Sequence, residues 1–246
     1  RSTLGLMDQL KRLKDQGSFI VNWTGDKRHQ TPSWMIPFAD AVSITCFSNM
    51  ADVSTFYNKG LETDFLQIGI DQDIFTPQGE TLEGVPEIVF KANQNNQFPL
   101  ANLRRDIVNT LRIRYGSRFG VYGNGWHNPR GNTNGNQHEE AKIYRSCKIA
   151  INCSQFDSLR YTSDRMFRAL GSGAFVLSHD YNGLEIDFEK GKHLDTFTDI
   201  NSLTSKIDFW LEQEDARNQI ATEGQKHCFE NFTYTQMVDK ILSLKK

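Results

Sequence analysis

Cysteine is scarce in this chain and badly spaced for chemistry. The four residues, Cys46, Cys147, Cys153 and Cys228, form no C-x-x-C pair. That spacing argues against a zinc site and against a disulfide framework, and it fits a reducing compartment. Charge excess is missing too. Lys and Arg number 28 against 30 Asp and Glu, a net charge of −2, so no global field draws the chain to nucleic acid or to an anionic membrane. No apolar run approaches the roughly 20 residues that a membrane span needs. The expectation is a cytoplasmic chain with no membrane span. The six histidines show no H-E-x-x-H or comparable spacing, so no metal site is expected. There is no G-x-S-x-G elbow, no Walker A loop, no complete G-x-G-x-x-G fingerprint and no internal repeat.

What the chain does have is alternation. Residues 4–16 carry apolar side chains at helical spacing. FIVNW and AVSITCFS read as buried strands, NMADVSTFYNKG as a helix ended by Gly60, and DFLQIGI as a third strand. DQDIFTPQGETLEGVP is a linker by composition. Alternation then restarts with EIVFKAN, PLANLRRDIVNTLRIRYG, FGVYGNGW, HEEAKIYRSC, KIAINCS, a short helix, AFVLS, NGLEIDFEKG and HLDTF, before three terminal helices. Strands separated by helices imply parallel sheets. The expected fold is α/β, with two Rossmann-like units and C-terminal helices. The expected boundaries are 1–78 for a short or truncated first unit, 79–232 for the second, and 233–246 for a last helix packing back on the first. The arginines at 104, 105, 112, 114 and 118 read as the solvated face of a helix.

One stretch mixes pattern and charge most deliberately: YTSDRMFRALGSGAFVLS, residues 161–178. Thr162, Ser163 and Asp164 are all good N-cap types. The first amides of a helix lack helical partners and its dipole is positive there, so an anion is favoured, phosphate above all. Arg165 lies in the first turn and Arg168 three residues on, where guanidinium groups can grip phosphate oxygens. Gly171 and Gly173 let the chain turn tightly and let backbone approach a ligand. The same residues also allow plain capping, with Asp164 and Arg168 as a surface pair.

Other stretches converge on the same end of the second unit. VYGNGW carries Gly123, Asn124 and Gly125 at the end of its strand, KAN ends another strand at residues 91–93, and Asn152 and Ser154 end a third. Open α/β sheets bind ligands at such carboxyl ends. In the first unit, NWTGDKRH places Asp26 and His29 after a strand. Either is a candidate general base facing a cleft between the units, or else a cap and a solvated side chain.

From about residue 87 onward these landmarks, in order, resemble the C-terminal donor-binding domain of GT-B glycosyltransferases: VYGNGW, KIAINCS, SDRMFRALGSGAFVLS, NGLEIDFEKGKHL and DARNQIATEGQKHCFENFTY. More narrowly they resemble the spore-maturation CgeB/YkvP-like group. GIDQDIFTP is similar to the domain-crossing segment of family 4 enzymes. The resemblance implies transfer of a sugar from a nucleotide-diphosphate sugar to an acceptor that is a glycan, a protein or a nucleic acid, with no required cofactor or metal. It implies a diphosphate held by Thr162, Ser163, Asp164 and Arg165, with Arg165 also stabilising the leaving group. Gly123, Asn124, Gly125, Asn152, Ser154, Arg168 and Gly173 would complete the donor site, and Asp26 is the base candidate.

Two departures shape the alternatives. Many relatives have a glutamate where this chain has Arg168, and family 4 enzymes often have another where it has Arg160. A cation cannot accept the hydrogen bonds of ribose hydroxyls. The first unit is also about half the size expected of an acceptor-binding domain. A catalytically reduced nucleotide-sugar or glycan binding module is the first alternative. A glycosyltransferase acting on DNA bases, using the arginine-rich helix, is the second.

Overall fold

The computed structural model describes residues 3–133 and 135–245, with side chains from residue 5 onward. Two parallel sheets organise it. The first has three strands in the order β1 (Val21–Thr24), β2 (Ile44–Phe47) and β3 (Thr63–Phe65). The second has five, built from β4 (Ile88–Lys91), β5 (Phe119–Tyr122), β6 (Ile149–Asn152), β7 (Phe175–His179) and β8 (Asp195–Phe197), in the order β5-β4-β6-β7-β8. The first sheet is accompanied by α1 (Thr3–Asp15), α2 (Met35–Asp40) and α3 (Met50–Tyr57). The second sheet carries α4 (Ala101–Tyr115), α5 (Gln137–Ser146), α6 (Asp164–Gly171), α7 (Leu184–Asp187), α8 (Ile200–Glu212) and α9 (Glu214–Asn231), and α10 (Tyr234–Ser243) follows.

The second sheet is covered on both faces, which is why its strands read as unbroken apolar runs. Successive strand side chains point to opposite faces. Phe175 and Leu177 of β7 therefore join Ile107, Leu111, Leu203 and Ile207 on the α4/α8 face. Val176 of the same strand joins Met166, Phe167 and Leu170 beneath α6. Helix α9 lies across α6 at Gly224, where a Cβ would stand 2.1 Å from the His193 carbonyl oxygen.

Three local features differ from the sequence reading. The run DFLQIGI is strand only as far as Phe65. From Leu66 the chain leaves the sheet, and Ile70 instead makes a bridge to Thr233. Helix α2, MIPFAD, has no counterpart in the sequence reading, and it contains Pro37. The proline occupies the first turn, where the missing amide costs nothing. Of the arginine run on α4 and the turn after it, Arg105, Arg114 and Arg118 are exposed as expected, and the departure is Arg104. Arg104 is buried and donates to the Asn93 carbonyl at 2.8 Å. Arg114 pairs with Asp208 at 2.5 Å and Arg118 with Glu87. Arg112 donates to the carbonyls of His127 and Asn128.

The two sheets are joined twice. Residues 66–77 cross from the first to the second. The end of α9 then leads back through Thr233 into α10, whose Lys240 lies 3.3 Å from Asp64 of β3. Where the crossings meet, Ile70 donates to the Phe232 carbonyl at 2.9 Å and Tyr234 donates to the Ile70 carbonyl at 3.0 Å.

Gly224→Ala should lower stability by about 1–3 kcal/mol, since its methyl group meets backbone that cannot swing aside. Urea denaturation of the purified variant reads this directly as a lower midpoint.

Candidate functional site

In the second sheet the strand order reverses between β4 and β6, so a crevice opens at their carboxyl ends. Lys91 ends β4 and Asn152 ends β6. Helix α6 follows β6 and points its N-terminus into this crevice. A buried polar knot holds it there. Asn152 Nδ2 donates to Thr162 Oγ1 at 3.1 Å and to Ser178 Oγ at 2.9 Å. Ser163 Oγ donates to Asn152 Oδ1 at 3.3 Å, and the Ser163 amide donates to Ser154 Oγ at 3.1 Å. Asn152, Ser154 and Thr162 are thus buried supports that fix the start of α6.

The side chain of Ser163 does not cap the helix. Among the described residues no group accepts from the amides of Asp164 and Arg165. The helix therefore presents unpaired donors and the positive end of its dipole. Arg165 stands beside them. Among the described residues its one ionic contact is with Asp164 at a loose 3.8 Å, and its side chain keeps 24% exposure. Arg168 is held differently. It pairs with Asp164 at 2.7 Å and with Glu140 at 2.9 Å, and it lies 5.4 Å over the ring of Phe75. Burial works against the charge of Arg168, but Asp164 and Glu140 outweigh it and raise the pKa.

Glu140 was not singled out from the sequence. It sits on the inner side of α5 among Ala141, Ile143 and Tyr144. A carboxylate on that apolar side was the signal available. Its Oε2 also accepts from Lys91 at 2.9 Å. Burial pushes the Lys91 pKa down, and Glu140 opposes the shift. Behind Asn93, burial lowers the pKa of Arg104 to about 10, and the nearby charge of Arg165 pushes the same way. Lys91, Arg165 and Arg168 face Glu140 and Asp164, so the group carries one surplus positive charge before Arg104 is counted.

Two adjoining cavities share Asn93, Arg165 and Arg168. The larger, about 520 Å³, lies between the two sheets and is walled by Asp26, Trp23, Ser163, Arg165 and Tyr234 among others. The smaller, about 220 Å³, reaches under β4 and β5 to Lys91, Gly123 and Glu140. Asp26 is exposed and faces the larger cavity from the loop after β1. His29 stands apart from it, stacked on Phe98 with ring centroids 5.4 Å apart and edge-on to Phe156.

The glycines divide. Gly123, at φ 130°, borders the smaller cavity, although a Cβ there would lie 2.4 Å from the Ala92 carbonyl oxygen. Gly125 is pressed against Gln94, whose carbonyl oxygen would be 2.5 Å from a Cβ. Asn124 donates its amide to Asn93 Oδ1 at 2.8 Å and lines neither cavity. Gly173 lies beyond the far end of α6. The close approach it permits is to Pro77 of the linker, 2.9 Å from where a Cβ would be. Among the described residues, no three His, Cys, Asp or Glu side chains gather as a metal site requires, and no helix is long and apolar enough to cross a membrane. All four cysteines are free thiols.

A family model described as glycosyl transferase-like matches residues 104–243. No curated protein matches the sequence. Among solved structures, Anabaena HepE in complex with UDP and glucose aligns with a TM-score of 0.71 at 11% identity, covering 99% of this chain and 75% of that one. TarM aligns at 0.64 and 14% identity, covering 91% of this chain and 49% of that one. The C-terminal domain of LpcC from Francisella tularensis aligns at 0.51 and 10% identity, over 67% of this chain and 99% of that one. The fold is that of the GT-B glycosyltransferases.

The two arginines of α6 should separate in stability measurements. Arg168→Ala leaves the buried Glu140 short of a partner and should cost about 1–3 kcal/mol. Arg165→Ala removes only a loose contact and should cost no more than about 1 kcal/mol. Denaturation midpoints of the two variants, measured side by side, check the ordering.

Proposed function

Starting from the chain's membership of the glycosyl transferase-like family, we propose that it moves a sugar from a nucleotide-diphosphate sugar to an acceptor hydroxyl. Within that family the landmark order from VYGNGW to FENFTY supports a place in the CgeB/YkvP-like group. The observation that carries the donor reading is the loosely held guanidinium of Arg165 beside unpaired amides at the head of α6, facing a cavity between the sheets.

In this reading the diphosphate rests on the amides of Asp164 and Arg165, with Ser163 at its edge. Breaking the bond between the anomeric carbon and the diphosphate oxygen leaves a growing negative charge on that oxygen. Arg165 stabilises it where it develops, and preorganised charge of this kind is usually the largest catalytic contribution. The surplus positive charge from Lys91, Arg165 and Arg168 serves the purpose that a divalent ion serves in other phosphate chemistry, so the proposed reaction requires no metal. In the same reading Asp26, which lines the cavity opposite Arg165, takes the proton of the acceptor hydroxyl. HepE has been solved with UDP-glucose, which makes UDP-sugars the first donors to try.

Thermal unfolding with a panel of UDP-, GDP-, CMP- and dTDP-sugars tests the proposal. A true donor at a hundredfold excess over its Kd should stabilise the chain by about 2.7 kcal/mol. Arg165→Ala should abolish that gain while remaining folded. Undiminished donor affinity in the folded variant removes the diphosphate from this position. Stabilisation without sugar transfer or donor hydrolysis points instead to a nucleotide-sugar binding module.

A further inference from the structure

Glu140 presents an unresolved demand. Its side chain is 1% exposed, and both Lys91 and Arg168 bond to the same oxygen, Oε2, at 2.9 Å each. The other oxygen, Oε1, is buried and has no hydrogen-bond partner among the described residues. A carboxylate oxygen left without a donor in a dry interior is expensive. The side chain nevertheless borders a cavity of about 220 Å³, far more room than one water needs.

The walls of that cavity state what would fit. Lys91, Arg165 and Arg168 can only donate hydrogen bonds, and they attract anionic oxygen. Oε1 can only accept, and it repels anionic oxygen. A bare phosphate satisfies the cations and is repelled by Glu140. A neutral polyol satisfies Glu140 and leaves Arg165, the loosely paired cation, unserved. A diphosphate bearing a hydroxylated ring satisfies both, with its charge near Arg165 and one ring hydroxyl turned inward. The cavity and the larger one have Asn93, Arg165 and Arg168 in common, so an extended ligand bound along these residues would border both.

We propose that Oε1 of Glu140 accepts a hydrogen bond from a ring hydroxyl of the bound donor, and that Glu140 is therefore a specificity-determining residue. The hydroxyl belongs either to the ribose of the nucleotide or to the sugar it carries. This rests on the donor reading above. Glu140 acts from α5, one helix earlier than α6, where this chain has the cation Arg168.

Calorimetric titration of the full chain decides the matter. The nucleoside diphosphate that stabilises it most is compared with its 2′-deoxy and 3′-deoxy forms, which reads the ribose. The corresponding nucleotide sugar is compared with forms carrying a singly deoxygenated sugar, which reads the sugar ring. One of these losses should weaken binding to the unmodified chain by about tenfold or more. In Glu140→Gln the amide must turn its oxygen toward Lys91 and Arg168, so an N–H donor replaces the unpaired acceptor. That variant should bind the same deoxy ligand within about twofold of its parent. Glu140→Asp keeps the charge near both cations but withdraws the oxygen, and it should lose the discrimination too. The proposal is overturned if the unmodified chain binds every deoxy form as tightly as the parent. It is equally overturned if both variants keep the full discrimination. If no nucleotide binds at all, the donor reading itself fails and this proposal goes with it.

Discussion

One carboxylate oxygen sets the charge geometry of the cleft. Oε2 of Glu140 receives Lys91 from the end of β4 and Arg168 from the last turn of α6, each at 2.9 Å. Three elements that are remote in sequence are locked together by this shared acceptor. Desolvating such a cluster is costly, and a buried ion pair is often no more stabilising than apolar packing would be. What it supplies here is position. With Arg168 committed to Glu140 and Asp164, Arg165 remains the loosely held guanidinium at the head of α6, aimed at the space between the sheets.

The polar knot below it works in the same direction. Asn152, Ser154 and Thr162 spend their hydrogen bonds on one another and on Ser178, so the end of β6 and the start of α6 move as one piece. Such a network tolerates little change, because any member left unpaired pays for its burial. The unpaired amides above it are rigidly aimed as a result.

Much of this was legible in the residues. The five strands of the second sheet announce themselves as apolar runs because both faces are covered. The hydroxyl-rich start and paired arginines of α6 mark an anion site by type and spacing alone. Other parts were hidden for physical reasons. Thr162, Asn152 and Ser154 look like ligand contacts because they are polar at a strand end, yet polarity does not say whether a side chain meets a ligand or its neighbour. The glycines at 125 and 173 signal close approach, but the partners are Gln94 and Pro77, which only tertiary structure brings near. Arg104 reads as surface by chemistry, yet it is buried and donates to the Asn93 carbonyl, a partner that only tertiary structure supplies. Glu140 meets its two cations across three elements, and no local pattern encodes such a meeting.

The double crossing at Ile70 and Thr233 has a mechanical consequence. Two backbone segments run side by side there, bonded through Ile70, and Gly69 admits Tyr234 so closely that a Cβ would lie 2.9 Å from its ring. A lone tether would leave the smaller sheet free to tumble in any direction, whereas a paired one, backed by Met50 donating to the Leu159 carbonyl at 3.0 Å and by His29 stacked on Phe98, fixes its orientation along more than one line. Asp26 and Trp23 stand on one side of the gap and Arg165 on the other, so the geometry of this double join fixes how far the candidate base stands from the cation that faces it.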